Sequence, residues 1–119
     1  MKRDLDYIRE LLLAIEADSR LDGTGLVHFA PSSDSGRSCE ELAYHLTLLI
    51  EAGFLKGEPT GQIPMISRLT WDGHEFLDDI RDPEIWGKTK ERAKTVAGLG
   101  LQFVWEIAKA EIKTKLGLP

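Results

Sequence analysis

Apolar and charged positions recur at helical spacing near the amino terminus of the chain. In residues 4–17 the apolar positions form one stripe, which holds Leu5, Ile8, Leu12 and Ile15. This period is typical of an amphipathic helix. Asp4 and Asp6 fall in the first turn, where carboxylates suit the positive end of the helix dipole. The pattern therefore predicts a first helix over this segment.

The helical pattern breaks between Ser19 and Arg37. Loop-forming Gly, Ser and Asp residues there surround one short apolar run, Leu-Val-His-Phe at residues 26–29, which predicts a short strand between loops. Residues 30–37 follow, and they are too few and too rich in Ser and Gly to form more than a single helical turn.

A second helix is predicted to begin after Ser38. Glu41 stands three residues later, at the capping-box spacing, in which each side chain satisfies a backbone N–H of the other residue. Gly53 stands where a left-handed residue ends such a helix. The apolar face at helical period, which we expect to turn toward the core, holds Leu42, Leu46, Leu49 and Ile50.

Two short extended runs around residues 59–61, Pro-Thr-Gly, predict a β-hairpin. Pro64 must lie at an edge or a bulge of this hairpin, because it has no N–H to donate to a ladder. Thr70 is the predicted N-cap of the next helix, and Trp71 is expected to pack where the hairpin joins that helix.

Two more helices are predicted at the carboxyl end of the chain. Asp82 as N-cap and Pro83 at the first helical position begin one of them. Gly98 and Gly100 interrupt the helical pattern, and the last helix follows over residues 101–116. Its apolar stripe holds Leu101, Val104, Trp105, Ala108 and Ile112.

The order of these elements predicts an α+β, winged-helix-like fold: helix, short strand, helix, β-hairpin wing and helix, with two additional C-terminal helices. A usual winged helix has one more helix just before the recognition helix, and residues 30–37 take its place here. We expect residues 1–81 to form the winged-helix-like domain. Residues 82–119 are expected to form a helical extension, packed on that domain or at a dimer interface, within a single domain overall.

The composition is that of an ordinary globular protein. Of the 119 residues, 42% are hydrophobic and 29% are charged, which argues against a disordered chain. No apolar run approaches the ~20 residues that span a bilayer, and the amino terminus lacks a secretory apolar region. The single cysteine, Cys39, excludes an internal disulfide framework. We therefore expect a cytoplasmic protein without membrane contact.

Charge is distributed unevenly along the chain. The net charge of −5 argues against a protein that coats nucleic acid by electrostatics alone. Residues 86–119 nevertheless hold seven basic and three acidic side chains, a balance of +4, and the first 85 residues carry −9. This asymmetry fits a basic arm for phosphate, or a basic layer that docks on an acidic body of its own or of a neighbour.

Five stretches of the chain together point to a family: MKRDLDYIRELLLAIE, AYHLTLLIEAGFL, RLTWDGHEFLDDIRD, IWGKTKE and IKTKLGL. Residues 39–55 and 66–80 look like the winged-helix regulators. More closely, the chain resembles the bacterial and prophage-associated family catalogued as domain of unknown function 2513, over nearly its whole length. The resemblance implies a small non-enzymatic domain that comes from phage or prophage genes.

The motifs of catalytic and metal sites are missing from the sequence. The three histidines, His28, His45 and His74, lie on three different predicted elements, and no H-x-x-H or C-x-x-C spacing occurs. The sequence also lacks the G-x-S-x-G motif, the P-loop and the Rossmann glycine pattern. We therefore expect no enzyme activity, no catalytic or metal-binding residues and no cofactor.

A nucleic-acid surface should offer Arg, Lys, Asn or Gln to bases and phosphates, and the second helix is acidic instead. No Lys or Arg occurs between Ser38 and Leu55, so this helix would repel a polyanion. Its outer face is predicted to hold Glu40, Glu41, Tyr44, His45, Thr47, Leu48 and Glu51. DNA binding would have to use basic residues of other segments, namely Arg37, Lys56, Arg68, Lys109 and Lys113.

Two groups of apolar residues are candidates for contact with a protein. Tyr44 and Leu48 lie side by side on the outer face of the second helix, with Glu around them, unless the C-terminal helices cover them. Phe103 and Trp105 belong to a last helix with an unusually wide apolar stripe. That stripe must be buried, either on the first helix or in a homodimer through residues 101–116.

These observations favour a non-catalytic, phage- or prophage-type winged-helix-like module that mediates protein–protein interaction. The unknown protein partner includes the possibility of a second copy of the chain. A winged-helix DNA-binding transcriptional regulator is the alternative, because the fold favours DNA while the residues of the second helix favour protein.

Overall fold

The computed structural model describes residues 1–30, 36–96, 98 and 100–118. Within the segment that was predicted to replace a helix, residues 31–35 lie outside the described residues. The described elements are α1 (Leu5–Ala17), α2 (Cys39–Glu51), β1 (Leu55–Glu58), β2 (Met65–Leu69), α3 (Trp71–Ile80), α4 (Pro83–Ala93) and α5 (Leu101–Lys115). This mixed α+β order, with one antiparallel hairpin, confirms the winged-helix-like arrangement.

The helix starts that the sequence predicted are confirmed by side-chain caps. Ser38 Oγ accepts the Glu41 N–H at 3.1 Å, and Thr70 Oγ1 accepts the Gly73 N–H at 3.0 Å. Asp82 Oδ1 accepts the Glu84 N–H at 2.8 Å. Because each of these capping bonds joins residues of one helical turn, the local sequence is enough to predict it.

The strands β1 and β2 form the wing, with a β-bulge between Lys56 and Gly57. The predicted strand at residues 26–29 is reduced to one bridge, in which Val27 and Ile66 exchange two backbone hydrogen bonds of 2.8 and 2.9 Å. The preceding loop adds a further bond, from Gly23 N–H to the Ser67 carbonyl at 3.1 Å. Gly23 has a φ of 91°, which turns the backbone away from an extended course.

The chain divides into two compact units, Met1–His74 and Glu75–Pro119. The largest fully buried side chains of the first unit are Tyr7, Ile8, Leu11, Leu12, Ile15, Leu46, Leu49, Phe54 and Ile66. Those of the second unit include Phe76, Leu77 and Ile80, and Trp86 and Val104 are buried there as well.

The expectation that Trp71 packs at the junction of wing and helix is wrong, because its side chain is 76% exposed. Gly73 faces the junction instead, and a Cβ at that position would collide with the carbonyl oxygen of Phe54. Trp71 and Gly73 lie two residues apart, on opposite sides of a helix. The side of α3 that touches the turn after α2 therefore needs glycine, and Trp71 projects into solvent.

Candidate functional site

His45 is a structural residue of the first unit, and its expected place on the outer face of α2 is wrong, because it is 1% exposed. The backbone N–H of Asp4 donates to Nε2 at 2.9 Å, and Nδ1 lies 2.7 Å from the Glu41 carbonyl oxygen. With a donor at Nε2 and an acceptor at Nδ1, we assign a neutral ring that carries its proton on Nδ1. His45 thereby ties the start of α1 to α2.

Arg37, a candidate DNA contact, is already engaged by two carboxylates. Its Nη1 donates to Asp4 Oδ2 at 2.8 Å and to Glu41 Oε2 at 3.3 Å, and its guanidinium lies 4.4 Å from the centre of the Tyr7 ring. Burial acts to raise the pKa of Asp4, but hydrogen bonds from Arg37 and from the Tyr7 N–H outweigh it and hold that pKa below its usual value. The charge of Arg37 is therefore balanced within the protein.

Tyr44 and Leu48 are half-buried on α2. The Tyr44 ring meets the His45 ring edge-on, with the ring centres 5.2 Å apart. The exposed positions around them are acidic, at Glu40 and Glu51. Part of each apolar side chain is thus already covered, and the exposed carboxylates beside them make this part of α2 negative.

The wing brings together two basic candidates. Lys56 and Arg68 are direct cross-strand partners in the β1–β2 ladder, and both are exposed. Arg68 Nη1 donates to the Leu69 carbonyl at 2.9 Å, so this side chain lies along its own strand. Like charges directly opposite each other destabilise a sheet, so this pair is a feature that folding alone does not favour.

Trp105 and Lys109 are held within the second unit. The Trp105 Nε1–H donates to Asp79 Oδ2 at 2.8 Å, and the ring packs edge-on against Phe76 at 6.1 Å. Lys109 Nζ lies 4.0 Å from the centre of the Trp105 ring and 3.1 Å from Glu106 Oε1. Trp105 therefore faces the structure of its own unit, and the structure does not bring it together with Phe103.

Phe103 lies on a different face of α5, and its side chain is 64% exposed. It projects into a groove of about 530 Å³, here called the α4–α5 groove, between α5 and the residues that follow α4. The opposite wall is made by Thr95 and Val96, and Val96 is 53% exposed. The α5 side of the groove continues with Glu106, Ile107 and Ala110.

Sequence reasoning found Phe103 but missed the wall formed by Val96. The wall depends on how the end of α4 packs against α5, and no local pattern specifies such packing. The burial of His45 did leave a signal, because His45 stands three residues after Leu42 and four before Leu49, on the apolar side of α2.

The described residues hold neither a metal-ligand cluster nor a membrane-spanning helix. Within residues 1–30, 36–96, 98 and 100–118, no three His, Cys, Asp or Glu side chains cluster in a way that could hold a metal ion. In the same residues, every helix is too short or too polar to cross a membrane. The thiol of Cys39 is exposed and free.

Comparison with known proteins places the chain among relatives without an assigned activity. A family model described as "Hypothetical protein (DUF2513)" matches residues 2–100. A Haemophilus influenzae protein described as "Uncharacterized protein" is 34% identical over 121 residues, which cover 98% of this chain and 99% of the relative. No solved structure matches the chain.

Proposed function

The chain belongs to the DUF2513 family, and on the residues that it exposes we propose that it is a non-catalytic, phage- or prophage-type winged-helix-like module that binds protein. The binding surface in this proposal is the α4–α5 groove. The phage or prophage origin is the part that the family resemblance suggests, and genomic neighbourhood tests it. Relatives scattered among ordinary metabolic genes, away from phage genes, would contradict that part alone.

One observation carries the proposal of protein binding: a phenylalanine is 64% exposed beside a concave apolar surface. Burial of a large aromatic side chain removes a large apolar area from water and is strongly favourable, and such residues are enriched at the centres of protein interfaces. Arg92 and Glu106 border the same groove. An aromatic centre with a charged rim has the composition of a protein contact surface.

The non-catalytic part is supported by the structural use that the fold makes of His45 and Asp4. Both ring nitrogens of His45 are engaged with backbone atoms, and the ring is buried. A general base has to reach a substrate proton, so a histidine in this position is unsuited to the task. The carboxylate of Asp4 is likewise committed, to Arg37 and to the N-cap of α1.

DNA binding is the second candidate, and the wing supports it. Lys56 and Arg68 place two positive charges side by side on an exposed hairpin, where a winged helix can contact phosphates. The acidic residues of α2 and the balanced charge of Arg37 weigh against it. If the protein contact dominates, affinity for random duplex near physiological salt should be weaker than the ~1 µM limit of ordinary non-specific binding.

Photo-crosslinking from inside the groove tests the protein contact. A benzophenone amino acid replaces Phe103 in one variant and Trp71, an aromatic residue of the first unit that is also exposed, in a control variant. We expect a discrete protein adduct from position 103 in the host cell, and we expect it to disappear when Val96→Glu charges the opposite wall. The proposal fails if position 103 gives no adduct, or gives the same adducts as position 71.

A matched titration tests the DNA alternative. Lys56→Ala and Arg68→Ala should leave the adduct at position 103 unchanged. Tight binding to duplex that weakens with salt and is lost in these two wing variants would favour the regulator instead.

A further inference from the structure

We propose that the occupant of the α4–α5 groove is the α5 helix of a second copy of this chain, which lies antiparallel to the first across a two-fold axis. This inference rests on the proposed function, because it names the partner of the same surface. Three features of α5 carry it: a stripe of three apolar residues and a threonine outside the unit's core, the change from large to small residues along that stripe, and the charges beside it.

The stripe follows a heptad spacing on the face of α5 away from the buried residues. Its members recur at intervals of four, three and four residues and are Phe103, Ile107, Ala110 and Thr114. The first and last are exposed, and the middle two are half-buried. The buried face of the same helix holds Leu101, Val104 and Ala108. Apolar residues at this spacing form the seam along which two helices pack.

The stripe has large residues in its first half and small ones in its second half, which suits an antiparallel pair. In that orientation, a residue near the start of one helix meets a residue near the end of the other. Ile107 then lies against Ala110 of the second copy, and Phe103 lies against Thr114 of the second copy. Each large side chain meets a small one, and the two-fold axis repeats both contacts. Helix backbones can approach closely where the facing residue is alanine.

The charges beside the stripe select the antiparallel orientation over the parallel one. Glu106 and Lys113 lie on the same side of the stripe, two helical turns apart, and both are exposed. An antiparallel partner brings its Lys113 opposite Glu106 and its Glu106 opposite Lys113. A parallel partner in register would instead place Glu106 opposite Glu111 of the second copy, which is repulsive. The charge pattern is therefore self-complementary in one orientation.

The groove provides the space for this second helix. Val96 lines the same groove as the stripe residues Phe103, Ile107 and Ala110, so the incoming α5 would rest between Phe103 and Val96. The same contact covers Phe103 and Val96 in both copies, because a two-fold interface uses the same surface twice. The two most exposed apolar side chains of the groove are then removed from water together.

Charge reversal with a mixing step tests the inference. Glu106→Lys places two Lys–Lys pairs in the dimer, and Lys113→Glu places two Glu–Glu pairs there. We expect each variant alone to dimerise about tenfold or more weakly than the unmodified protein, since two symmetric pairs change from attraction to repulsion. When the two variants are mixed, every pair becomes opposite in sign again. The mixture should therefore regain a dimer that holds one copy of each.

Asp78→Lys, the same charge reversal at an exposed position of α3, is the matched control and should leave dimerisation unchanged. Circular dichroism checks that each variant remains helical, which matters for Glu106→Lys because Glu106 also pairs with Lys109 at 3.1 Å.

Three results overturn the inference. The first is an unmodified protein that remains monomeric at concentrations on the order of tens of micromolar. The second is a pair of single variants that both dimerise as tightly as the unmodified protein. The third is a mixture of the two variants that stays monomeric. A monomer whose position-103 adduct contains a different protein defeats the inference and leaves the proposed function standing. A monomer without any adduct defeats both.

Discussion

His45 is a buried residue whose removal we can evaluate from its contacts. Its ring fills space beside Tyr7, with ring centres 4.9 Å apart, and its Nε2 is the acceptor for the Asp4 N–H. Leu and Gln are the informative replacements, because both fill part of this space. The Gln carbonyl oxygen can take the position of Nε2, whereas Leu offers no acceptor.

The expected difference between the two variants is the free energy of one unsatisfied backbone group. A buried N–H that loses its partner destabilises a protein by about 1–3 kcal/mol. His45→Leu should therefore lower the free energy of unfolding by ~1–3 kcal/mol more than His45→Gln does. Loss of ring volume adds to both variants and largely cancels in the comparison.

Urea denaturation followed by circular dichroism measures this difference, and an unchanged slope m confirms that the same structure unfolds. Leu and Gln at Glu51, an exposed position of the same helix, serve as controls and should differ by no more than ~0.5 kcal/mol. If Leu at position 45 is as stable as Gln, the bond between His45 and Asp4 does not stabilise the fold, and our assignment of its role is refuted.

Three further predictions concern the first unit. Gly73→Ala should destabilise the protein by about 1–3 kcal/mol in the same urea assay, because the added Cβ collides with the Phe54 carbonyl; a neutral result would mean that α3 shifts freely. Tyr7→Phe should keep or raise stability by up to ~1 kcal/mol, because the buried Tyr7 hydroxyl has no hydrogen-bond partner among the described residues; a clear loss would reveal a partner. The folded-state pKa of Asp4 is depressed, so its stabilising effect is present above its usual value near 3.8 and is lost as pH falls through the lower, folded-state pKa. Asp4→Asn keeps an N-cap oxygen and should flatten this acid loss, whereas an unchanged acid profile would show that the contact with Arg37 is unimportant.

The sequence was sufficient to predict those features of the structure that depend on residues close together in the chain. The caps at Ser38, Thr70 and Asp82 are bonds within one helical turn, and each was predicted from residue type and spacing. Gly53 has a φ of 85°, as its predicted role at the end of α2 requires. The order of helices and hairpin follows from such signals, and it was sufficient to predict the fold class.

Prediction from the sequence failed for residues whose surroundings are formed by distant parts of the chain. The partner of His45, Asp4, lies 41 positions away, and no pattern on α2 indicates it. Trp71 was expected to pack because it is large, but the turn after α2 comes so close to α3 that only Gly73 fits there. Residues 26–29 have the pattern of a strand, yet only Val27 pairs, since pairing depends on where β2 lies.

The candidate site also contains one residue that the sequence could predict and features that depend on distant contacts. Phe103 could be selected from the sequence, because the last helix carries more apolar residues than one stripe requires. Which of Phe103 and Trp105 faces outward could not be selected, since Asp79 and Phe76 decide it by holding the Trp105 ring. Val96 lines the groove because of the way α4 packs on α5, which no local pattern predicts.

The central claim is that Phe103 is exposed in the single chain because it contacts another chain. Sedimentation equilibrium of the unmodified protein and of Phe103→Glu, at concentrations on the order of tens of micromolar, tests this claim most directly. We predict that the unmodified protein is a dimer and that Phe103→Glu is a monomer with an unchanged helical spectrum, because removal of an aromatic anchor can weaken an interface by ~2 kcal/mol or more. A monomeric unmodified protein, or a Phe103→Glu variant that dimerises with unchanged affinity, would contradict the account.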